Sequence, residues 1–298
     1  MWLWKLAHAA WVAIGGVSQV ARAKRHEHHQ EAAAGSPLGD QAVLEVASRA
    51  CRALAINVTC TGSLPAQGTG RLICVNHIGY IEIPIMRSLV AGSFVAEATL
   101  RGWPALGWVM EVFGTVFVDR QRPLQAPQVV AEVADRLGRG IDVLVFPEGT
   151  PSRGEYLQPF KTAIFEAAIR AHAAVVPVYL SVDSIDGCPA VGSIRDRVCW
   201  FRDRRGARPN LVRHLVGLAK LRSTAVSIHI GGAIHARDDR KALAAQTRAA
   251  MIELERVAQR AAPGSLVCPP HTARTDHPGT CPSSSRSDRS TSPTGGPG

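Results

Sequence analysis

Apolar and polar positions change their period repeatedly along the middle of the chain. Helical spacing of apolar residues predicts helices over residues 41–56, 126–139, 162–171 and 238–259. The runs between them are typical of strands: NVTCTG, RLICV, SFVAE, GTVFV, DVLVFP, AVVPVYL and AVSIHI. We expect a Gly/Pro turn between the first two strands and an irregular, basic stretch over residues 183–222. The alternation predicts an α/β fold with a largely parallel central sheet flanked by helices.

The two ends of the chain differ from this middle part. Residues 1–20 are apolar and hold three tryptophans, and a basic patch follows at residues 22–25. This pattern favours a helix that lies in the membrane interface, with a secretory signal and a core helix as alternatives. Ser, Thr, Pro and Gly dominate after residue 262. We therefore divide the chain into an N-terminal interfacial helix and linker (1–40), a catalytic-type domain (41–262) and a disordered tail (263–298).

Charge and cysteine content narrow the classes of partner. The formal net charge of +10 indicates an anionic partner, which could be nucleic acid, a membrane or a phosphorylated substrate. No basic stretch is interleaved with aromatic residues, so single-strand nucleic-acid binding is disfavoured. The seven cysteines include no C-x-x-C pair, which disfavours a zinc finger. Their scatter is typical of reduced thiols in a cytosolic environment.

The segment VNHIGYIEIP holds the first candidate chemical group. His77 and Glu82 stand five positions apart in an otherwise apolar segment. A carboxylate beside one ring nitrogen of a histidine fixes the tautomer and leaves the other nitrogen free to accept a proton. An isolated H-x4-E spacing also arises by chance, as a core-edge histidine with an unrelated surface glutamate. The rest of the sequence has to decide between these two interpretations.

Three further segments are predicted at strand ends or in the turns that follow them. GTVFVDR places Arg120 just past a buried strand, where a guanidinium could bind a phosphate. FPEGTPS turns after the strand DVLVF and presents Thr150 and Ser152 near a possible helix start, a setting suited to an anion. VVPVYL brings Pro177 into a further strand. Ligands bind at the carboxyl ends of strands in open parallel sheets, so we expect the four segments to meet there.

Together, in this order, the four segments resemble the motifs of the glycerolipid acyltransferase family, which includes 1-acylglycerol-3-phosphate acyltransferases. NHIGYIE is similar to the family's NH-x4-D box, GTVFVDR to its second box, FPEGTPS to its FPEGT-x-S box and VVPVYL to its hydrophobic-Pro box. RGWPALGW before the second box is also similar. The resemblance covers roughly residues 40–260, implies that residues 41–262 form an acyltransferase domain, and favours a functional interpretation of His77.

The resemblance implies a role for each matched residue. His77 would remove the proton of an acceptor hydroxyl that attacks an acyl thioester, and Glu82 would orient the imidazole. We expect Glu148 to organise Arg120 or backbone donors instead of touching the phosphate. The acceptor site is implied to comprise Arg120, Glu148, Gly149, Thr150, Ser152 and Lys161. Supporting roles fall to Asn76, Gly114, Asp119, Pro147 and Pro177. No metal or resident cofactor is expected, because acyl-CoA or acyl-carrier protein supplies an activated acyl group.

The sequence departs from the family pattern at three positions. Glu82 stands where the family usually has Asp, so its longer side chain must adjust to reach His77. Glu97 stands where a lysine is common and Pro151 where an arginine is usual, although Arg153 follows closely. The resemblance implies that the acceptor of this chain is 1-acylglycerol-3-phosphate, giving phosphatidate. The loss of two cations suggests a less anionic alternative, such as a lyso-ornithine lipid.

Two other functions remain open at this point. A thioesterase would use His77 to activate water, and a catalytically inactive lipid-binding protein would keep the fold but not the reaction. The expected partners are a lysolipid, an acyl thioester and a membrane surface, without nucleic acid. We expect the protein at the cytoplasmic face of the cell membrane, as a peripheral or monotopic protein.

Overall fold

The computed structural model of this 298-residue protein describes residues 15, 37–65, 70–102, 107, 110–111, 113–119, 126–201, 206, 209–235 and 238–261. Apart from residue 15, the tryptophan-rich N-terminal segment lies outside these ranges, as does the tail after residue 262, so the structures predicted for them lie outside the described residues. Among the described helices, none is both long enough and apolar enough to cross a bilayer.

The described strands form one nine-stranded sheet. They are β1 Ile56–Thr61, β2 Arg71–Val75, β3 Ser93–Glu97, β4 Val116–Val118, β5 Val143–Val145, β6 Ala174–Ile185, β7 Cys188–Pro189, β8 Thr224–Ile230 and β9 Ile234–His235. The order is β1-β8-β6-β2-β5-β3-β4, and β7 and β9 pair with β6. Strand β6 runs antiparallel to β7, β8 and β9, whereas the other pairs are parallel. The prediction of a largely parallel sheet is confirmed.

Helices cover both faces of this sheet. They are α1 Pro37–Ala53, α2 Glu82–Arg87, a 3₁₀ helix Ala98–Gly102, α3 Ala126–Gly138, α4 Phe165–Arg170, α5 Gly192–Arg195, α6 Leu211–Lys220 and α7 Arg240–Ala261. Buried residues of α1, α2 and α6 share one apolar core with the sheet, and those of α3, α4 and α7 share the other. The burial of apolar side chains on both faces explains why β5 and the last four residues of β2 are continuous apolar runs.

Strands β1 and β2 follow each other in the chain, and β1 lies at the sheet edge against β8. Two sequence-based expectations need correction. Residues 183–222 are not irregular, since they contain β7, α5 and the amphipathic α6, whose helical spacing the many arginines obscured. The cysteines are not all reduced: Cys188 is disulfide-bonded, and scattered spacing could not have revealed this. Cys51, Cys60, Cys74 and Cys199 are free thiols.

Neighbouring parallel strands position the candidate site. Strands β2 and β5 pair in parallel, with Cys74 opposite Val145, so the chain leaves both strands at the same edge of the sheet. The segment 76–82 follows β2 and the segment 146–154 follows β5. Two of the four sequence motifs therefore meet at the carboxyl edge, as expected for an open parallel sheet.

Candidate active site

The loop between β2 and α2 is held in place by its first residue. Asn76 is buried, and its side-chain amide donates to the carbonyl of Leu180 at 3.0 Å and accepts from the N–H of Leu180 at 2.7 Å. Both hydrogen bonds reach strand β6, the neighbour of β2 on its other side. This paired contact fixes the direction in which the chain leaves β2 and so places the next residue, His77.

His77 and Glu82 form a hydrogen-bonded pair at the start of α2. Nδ1 of His77 lies 2.7 Å from Oε2 of Glu82, which is completely buried. The second carboxylate oxygen, Oε1, accepts from the backbone N–H groups of Ile78 and Gly79. Both oxygens therefore have partners, and the longer glutamate side chain reaches the imidazole from the first residue of the helix.

The surroundings of Glu82 have opposing effects on the pKa of its carboxyl group. Burial raises the pKa of the Glu82 carboxyl, while His77 and the two backbone donors lower it. An ionised Glu82 accepts the Nδ1–H of His77, which leaves the lone pair of Nε2 available to accept a proton. The His77 side chain remains 16% exposed, so it lies at the boundary between the core and solvent.

An aromatic ring fixes the plane of the imidazole. Phe146 stacks on His77 with ring centroids 4.4 Å apart and an interplanar angle of 15°. Phe94 in turn stacks on Phe146 at 5.9 Å. Phe146 was not among the residues predicted for the site, although its place at the end of the apolar run DVLVF, directly before Pro147, was a usable signal. The stack limits ring rotation, and the ring face attracts an imidazolium.

Glu148 links the two loops through backbone donors. Its Oε1 accepts from the N–H of His77 at 2.7 Å and its Oε2 accepts from the N–H of Gln158 at 2.9 Å. Burial raises the pKa of Glu148 to about 7 against the opposing effect of these donors. The N–H of Ser152 completes the link by donating to the carbonyl of His77 at 2.8 Å. Glu148 thus organises backbone donors, as expected.

The remaining residues of the FPEGT segment form a turn and not a helix start. Gly149 has a φ of +75°, which favours glycine, and its N–H donates to the carbonyl of Phe146. Thr150 is exposed, and the next helix, α4, begins only at Phe165. The expected helix start near Thr150 and Ser152 is therefore wrong, because Pro151 and the glycine turn favour an extended path. Lys161 is exposed and is tied by its N–H to the carbonyl of Pro147.

The second motif, GTVFVDR, lies at the same edge of the sheet, two strands beyond β5. Gly114 has a φ of +68° in the turn before β4, and its carbonyl accepts from the side chain of Arg136. Asp119 follows the last residue of β4, and Val118 lies opposite Glu97 at the end of β3. Glu97 and Asp119 therefore bring two carboxylates to this edge. Arg120 lies outside the described residues.

Pro177 does not lie at a strand end. It sits in the middle of β6, opposite Cys74 of β2, and its carbonyl accepts from the N–H of Gly231. The expectation that the VVPVYL segment ends a strand is wrong, because β6 continues for eight residues past Pro177 to Ile185. Pro177 contributes to the sheet beneath the site, and Asn76 reaches Leu180 in the same segment.

The contacts that support the loop after β2 from behind were not predicted from the sequence. Gly79 packs against Trp200, and the backbone N–H of Trp200 donates to the carbonyl of Ile78 at 2.8 Å. The hydroxyl of Tyr80 is hydrogen-bonded to Nδ1 of the buried His214 in α6, at 2.5 Å. These contacts span more than a hundred residues of sequence, and no local pattern announces them.

The described residues of the site are arranged as a general base with its supporting groups, and they form no metal centre. His77 provides a proton acceptor, Glu82 fixes its tautomer, and Glu148 and Ser152 hold its backbone. Within the described part of the chain, no group of three or more His, Cys, Asp or Glu residues is arranged to hold a metal ion. The arrangement is suited to removing a proton from a hydroxyl group.

The known proteins to which this chain is similar are acyltransferases. A model of the acyltransferase family matches residues 56–181, which include the loops after β2 and β5. A lyso-ornithine lipid O-acyltransferase from Brucella abortus is 33% identical over 187 residues, covering 60% of this chain and 68% of the relative. The crystal structure of a 1-acyl-sn-glycerophosphate acyltransferase from Thermotoga maritima matches with a TM-score of 0.61 and 19% identity, over 86% of this chain and 94% of that chain. At this identity the match supports the fold.

Two more relatives carry different substrate names. A lyso-ornithine lipid O-acyltransferase from Pseudomonas aeruginosa is 35% identical over 142 residues, or 48% of this chain and 54% of the relative. A 1-acyl-sn-glycerol-3-phosphate acyltransferase from Neisseria meningitidis is 34% identical over 141 residues, or 47% of this chain and 55% of the relative. The chain thus spans just over half the length of these two relatives. The names agree on acyl transfer and differ on the lysolipid.

Proposed function

Because the chain belongs to the acyltransferase family, we propose that it transfers a fatty acyl group from an acyl thioester to the hydroxyl group of a lysolipid. The observation that carries this proposal is the pair of His77 and a fully buried Glu82, 2.7 Å apart, at the carboxyl edge of a parallel sheet. An imidazole oriented in this way is a general base for a hydroxyl group.

The reaction proceeds by direct transfer in this proposal. Nε2 of His77 removes the proton of the acceptor hydroxyl while the oxygen attacks the thioester carbonyl. Glu82 stabilises the imidazolium that forms. The C–S bond then breaks, and the imidazolium returns the proton to the leaving thiolate, so the products are an ester and a free thiol. Acyl-CoA or acyl-carrier protein serves as co-substrate, and the proposal includes no metal or resident cofactor.

The acceptor is either of two lysolipids, and two departures from the family motifs favour one of them. The motif resemblance points to 1-acylglycerol-3-phosphate. Glu97 and Pro151, however, stand where the family commonly has a lysine and an arginine, which lowers the positive charge available to a phosphomonoester dianion. Two of the relatives described above are named for lyso-ornithine lipid. We therefore favour lyso-ornithine lipid as acceptor, with 1-acylglycerol-3-phosphate as the alternative.

The deciding experiment is transfer of radiolabelled acyl groups from acyl-CoA and from acyl-carrier protein to a panel of lysolipids. Wild type should transfer to at least one acceptor, and His77→Ala should lose this activity. His235→Ala is the matched control, because His235 is exposed on β9, away from the loop after β2. Release of free fatty acid without acceptor would indicate a thioesterase, and absence of both reactions would indicate an inactive lipid-binding protein. Transfer to lysophosphatidate alone would refute the favoured acceptor.

We also propose that the protein works at the cytoplasmic face of the cell membrane, as a peripheral or monotopic protein. Both the lysolipid and its product partition into bilayers, so the site has to be accessible from that surface. Deletion of the tryptophan-rich residues 1–20 should lower recovery with membranes without unfolding the domain. Unchanged recovery of the truncated chain would contradict the interfacial role of this segment.

A further inference from the structure

Helix α6 has an apolar face that is not covered by the described protein. Val212 is 68% exposed and Leu215 is 37% exposed, and both stand on the outer side of the helix. Residues three and four positions apart share a helix face, so the half-buried Val216 joins them. The opposite side of the helix packs into the core through His214 and Leu218. An exposed apolar strip beside a buried one marks an interaction surface.

The charged residues on helix α6 and directly after it are basic. Arg213 and Lys220 are exposed on the flank of α6, and the helix contains no acidic residue. Arg222 is exposed just after it. Residues 195–222 as a whole contain nine Lys or Arg against two Asp in the sequence. Apolar side chains flanked by basic ones are complementary to an anionic bilayer, where the apolar groups enter the interface and the cations meet the headgroups.

Helix α6 is also connected directly to the candidate active site. His214, on its buried side, is hydrogen-bonded to Tyr80, three residues after His77. Trp200 packs against Gly79 of the same loop, and its indole N–H donates to the carbonyl of Pro209, next to the start of α6. A surface that binds α6 therefore lies close to the loop that carries the candidate base.

We propose that the outer face of α6, formed by Val212, Leu215 and Val216 with Arg213 and Lys220 on its flank, docks the protein on an anionic lipid surface. This inference rests on the proposed lysolipid substrate, because docking at α6 would bring the membrane to the site where the lysolipid reacts. The docking surface consists of residues of the described α/β domain and includes none from residues 1–20.

The test is vesicle binding by the full chain and two single variants. Val212→Glu places a charge in the apolar strip, and Val257→Glu is the matched control because Val257 is 50% exposed on α7. Vesicles of phosphatidylcholine mixed with phosphatidylglycerol are compared with vesicles of phosphatidylcholine alone. We expect Val212→Glu to weaken binding to the anionic vesicles at least about tenfold, since the burial of one aliphatic side chain is of that size. Val257→Glu should bind like wild type.

Several outcomes would overturn the proposal. Equal binding by wild type, Val212→Glu and Val257→Glu would remove α6 from the interface, as would absence of wild-type binding. Loss of binding to purified acyl-carrier protein in Val212→Glu, with vesicle binding unchanged, would assign the surface to an acidic protein instead. Leu215→Glu repeats the test if Val212→Glu fails to fold, as judged by circular dichroism.

Vesicle binding and acyl transfer give independent answers. Transfer to a short-chain lysolipid dissolved as a monomer should be the same in Val212→Glu and in wild type, because Val212 faces away from the His77 loop. If neither protein transfers acyl groups but only Val212→Glu loses vesicle binding, the proposed function fails and the docking surface stands.

Discussion

Nδ1 of His77 lies 2.7 Å from Oε2 of Glu82, and the other carboxylate oxygen of Glu82 accepts the backbone N–H groups of Ile78 and Gly79. The loop is therefore built around a glutamate, although the motif it resembles usually has an aspartate. The extra methylene does not push the carboxylate out of reach, because Glu82 is the first residue of α2 and fully buried.

Glu82→Asp should consequently lower activity even though it restores the usual motif. The shorter side chain withdraws the carboxylate by about 1 Å from His77, and an error of this size costs on the order of a hundredfold in rate. Glu82→Gln should cost at least as much, because an amide cannot stabilise an imidazolium. Turnover at saturating acyl thioester measures both effects, with thermal unfolding as the check on folding. Full activity in Glu82→Asp would show that the loop adjusts to either acid.

Phe146→Leu should lower turnover about threefold to tenfold with little change in KM. The leucine keeps apolar volume but loses the stacked ring that holds the His77 plane and attracts an imidazolium, an interaction of about 0.5 to 1.5 kcal/mol. Phe160→Leu is the control, because Phe160 stacks on Phe165 in the opposite core. Equal losses in the two variants would mean that Phe146 contributes only packing.

Glu148 should make stability depend on pH between about 4.5 and about 7. Burial raises its pKa from the ordinary value of 4.5 to about 7 in the folded protein, so the folded state holds the proton more tightly than the unfolded chain. The stabilisation is complete below pH 4.5 and is lost as the pH rises through 7, by an amount on the order of 3 kcal/mol. Burial raises the pKa of Glu82 too, so the comparison with a variant isolates Glu148.

The measurement is the free energy of unfolding of wild type and Glu148→Gln across this pH range. The difference between them should change with pH, because glutamine does not titrate. Glu45→Gln is the control, since Glu45 is exposed and forms an ion pair with Arg49 one helical turn away. A constant difference between wild type and Glu148→Gln over the whole range would contradict the raised pKa.

Gly79→Ala should destabilise the protein by about 2 to 4 kcal/mol. Gly79 has a φ of +149°, and an added Cβ would lie 2.9 Å from the backbone nitrogen of Trp200. Gly138→Ala, at the end of α3, meets nothing within 4 Å and should be neutral or stabilising by up to about 1 kcal/mol. Chemical denaturation of both variants measures the contrast. Similar free energies of unfolding would show that Trp200 moves aside without cost.

The sequence predicts the strands and the loops that end them better than it predicts what surrounds those loops. Apolar runs mark β2 and β5, and the rule for parallel sheets then brings His77 and Glu148 to one edge. The supporting contacts depend on strand order instead. Trp200 reaches Gly79, and His214 reaches Tyr80, only because the segment after β6 folds back over the loop after β2. Neither contact has a local periodicity that could reveal it.

Asn76 gives the most direct test of whether such a distant contact positions the base. Its amide satisfies both the N–H and the carbonyl of Leu180, 104 residues away, in a buried setting. Asn76→Ala leaves these two backbone groups without their side-chain partner, at a cost of about 1 to 3 kcal/mol each, and frees the chain before His77. We expect lower stability and a fall in turnover that persists at temperatures where the variant is fully folded.

Asn57→Ala provides the comparison, because Asn57 is exposed on the edge strand β1. It should retain wild-type stability and turnover. Turnover and the free energy of unfolding are measured on the same preparations, so that an effect on folding is separated from an effect on the loop. If Asn76→Ala loses stability but keeps wild-type turnover when folded, the bond to Leu180 supports the sheet and leaves the position of His77 to Glu82, Glu148 and Phe146.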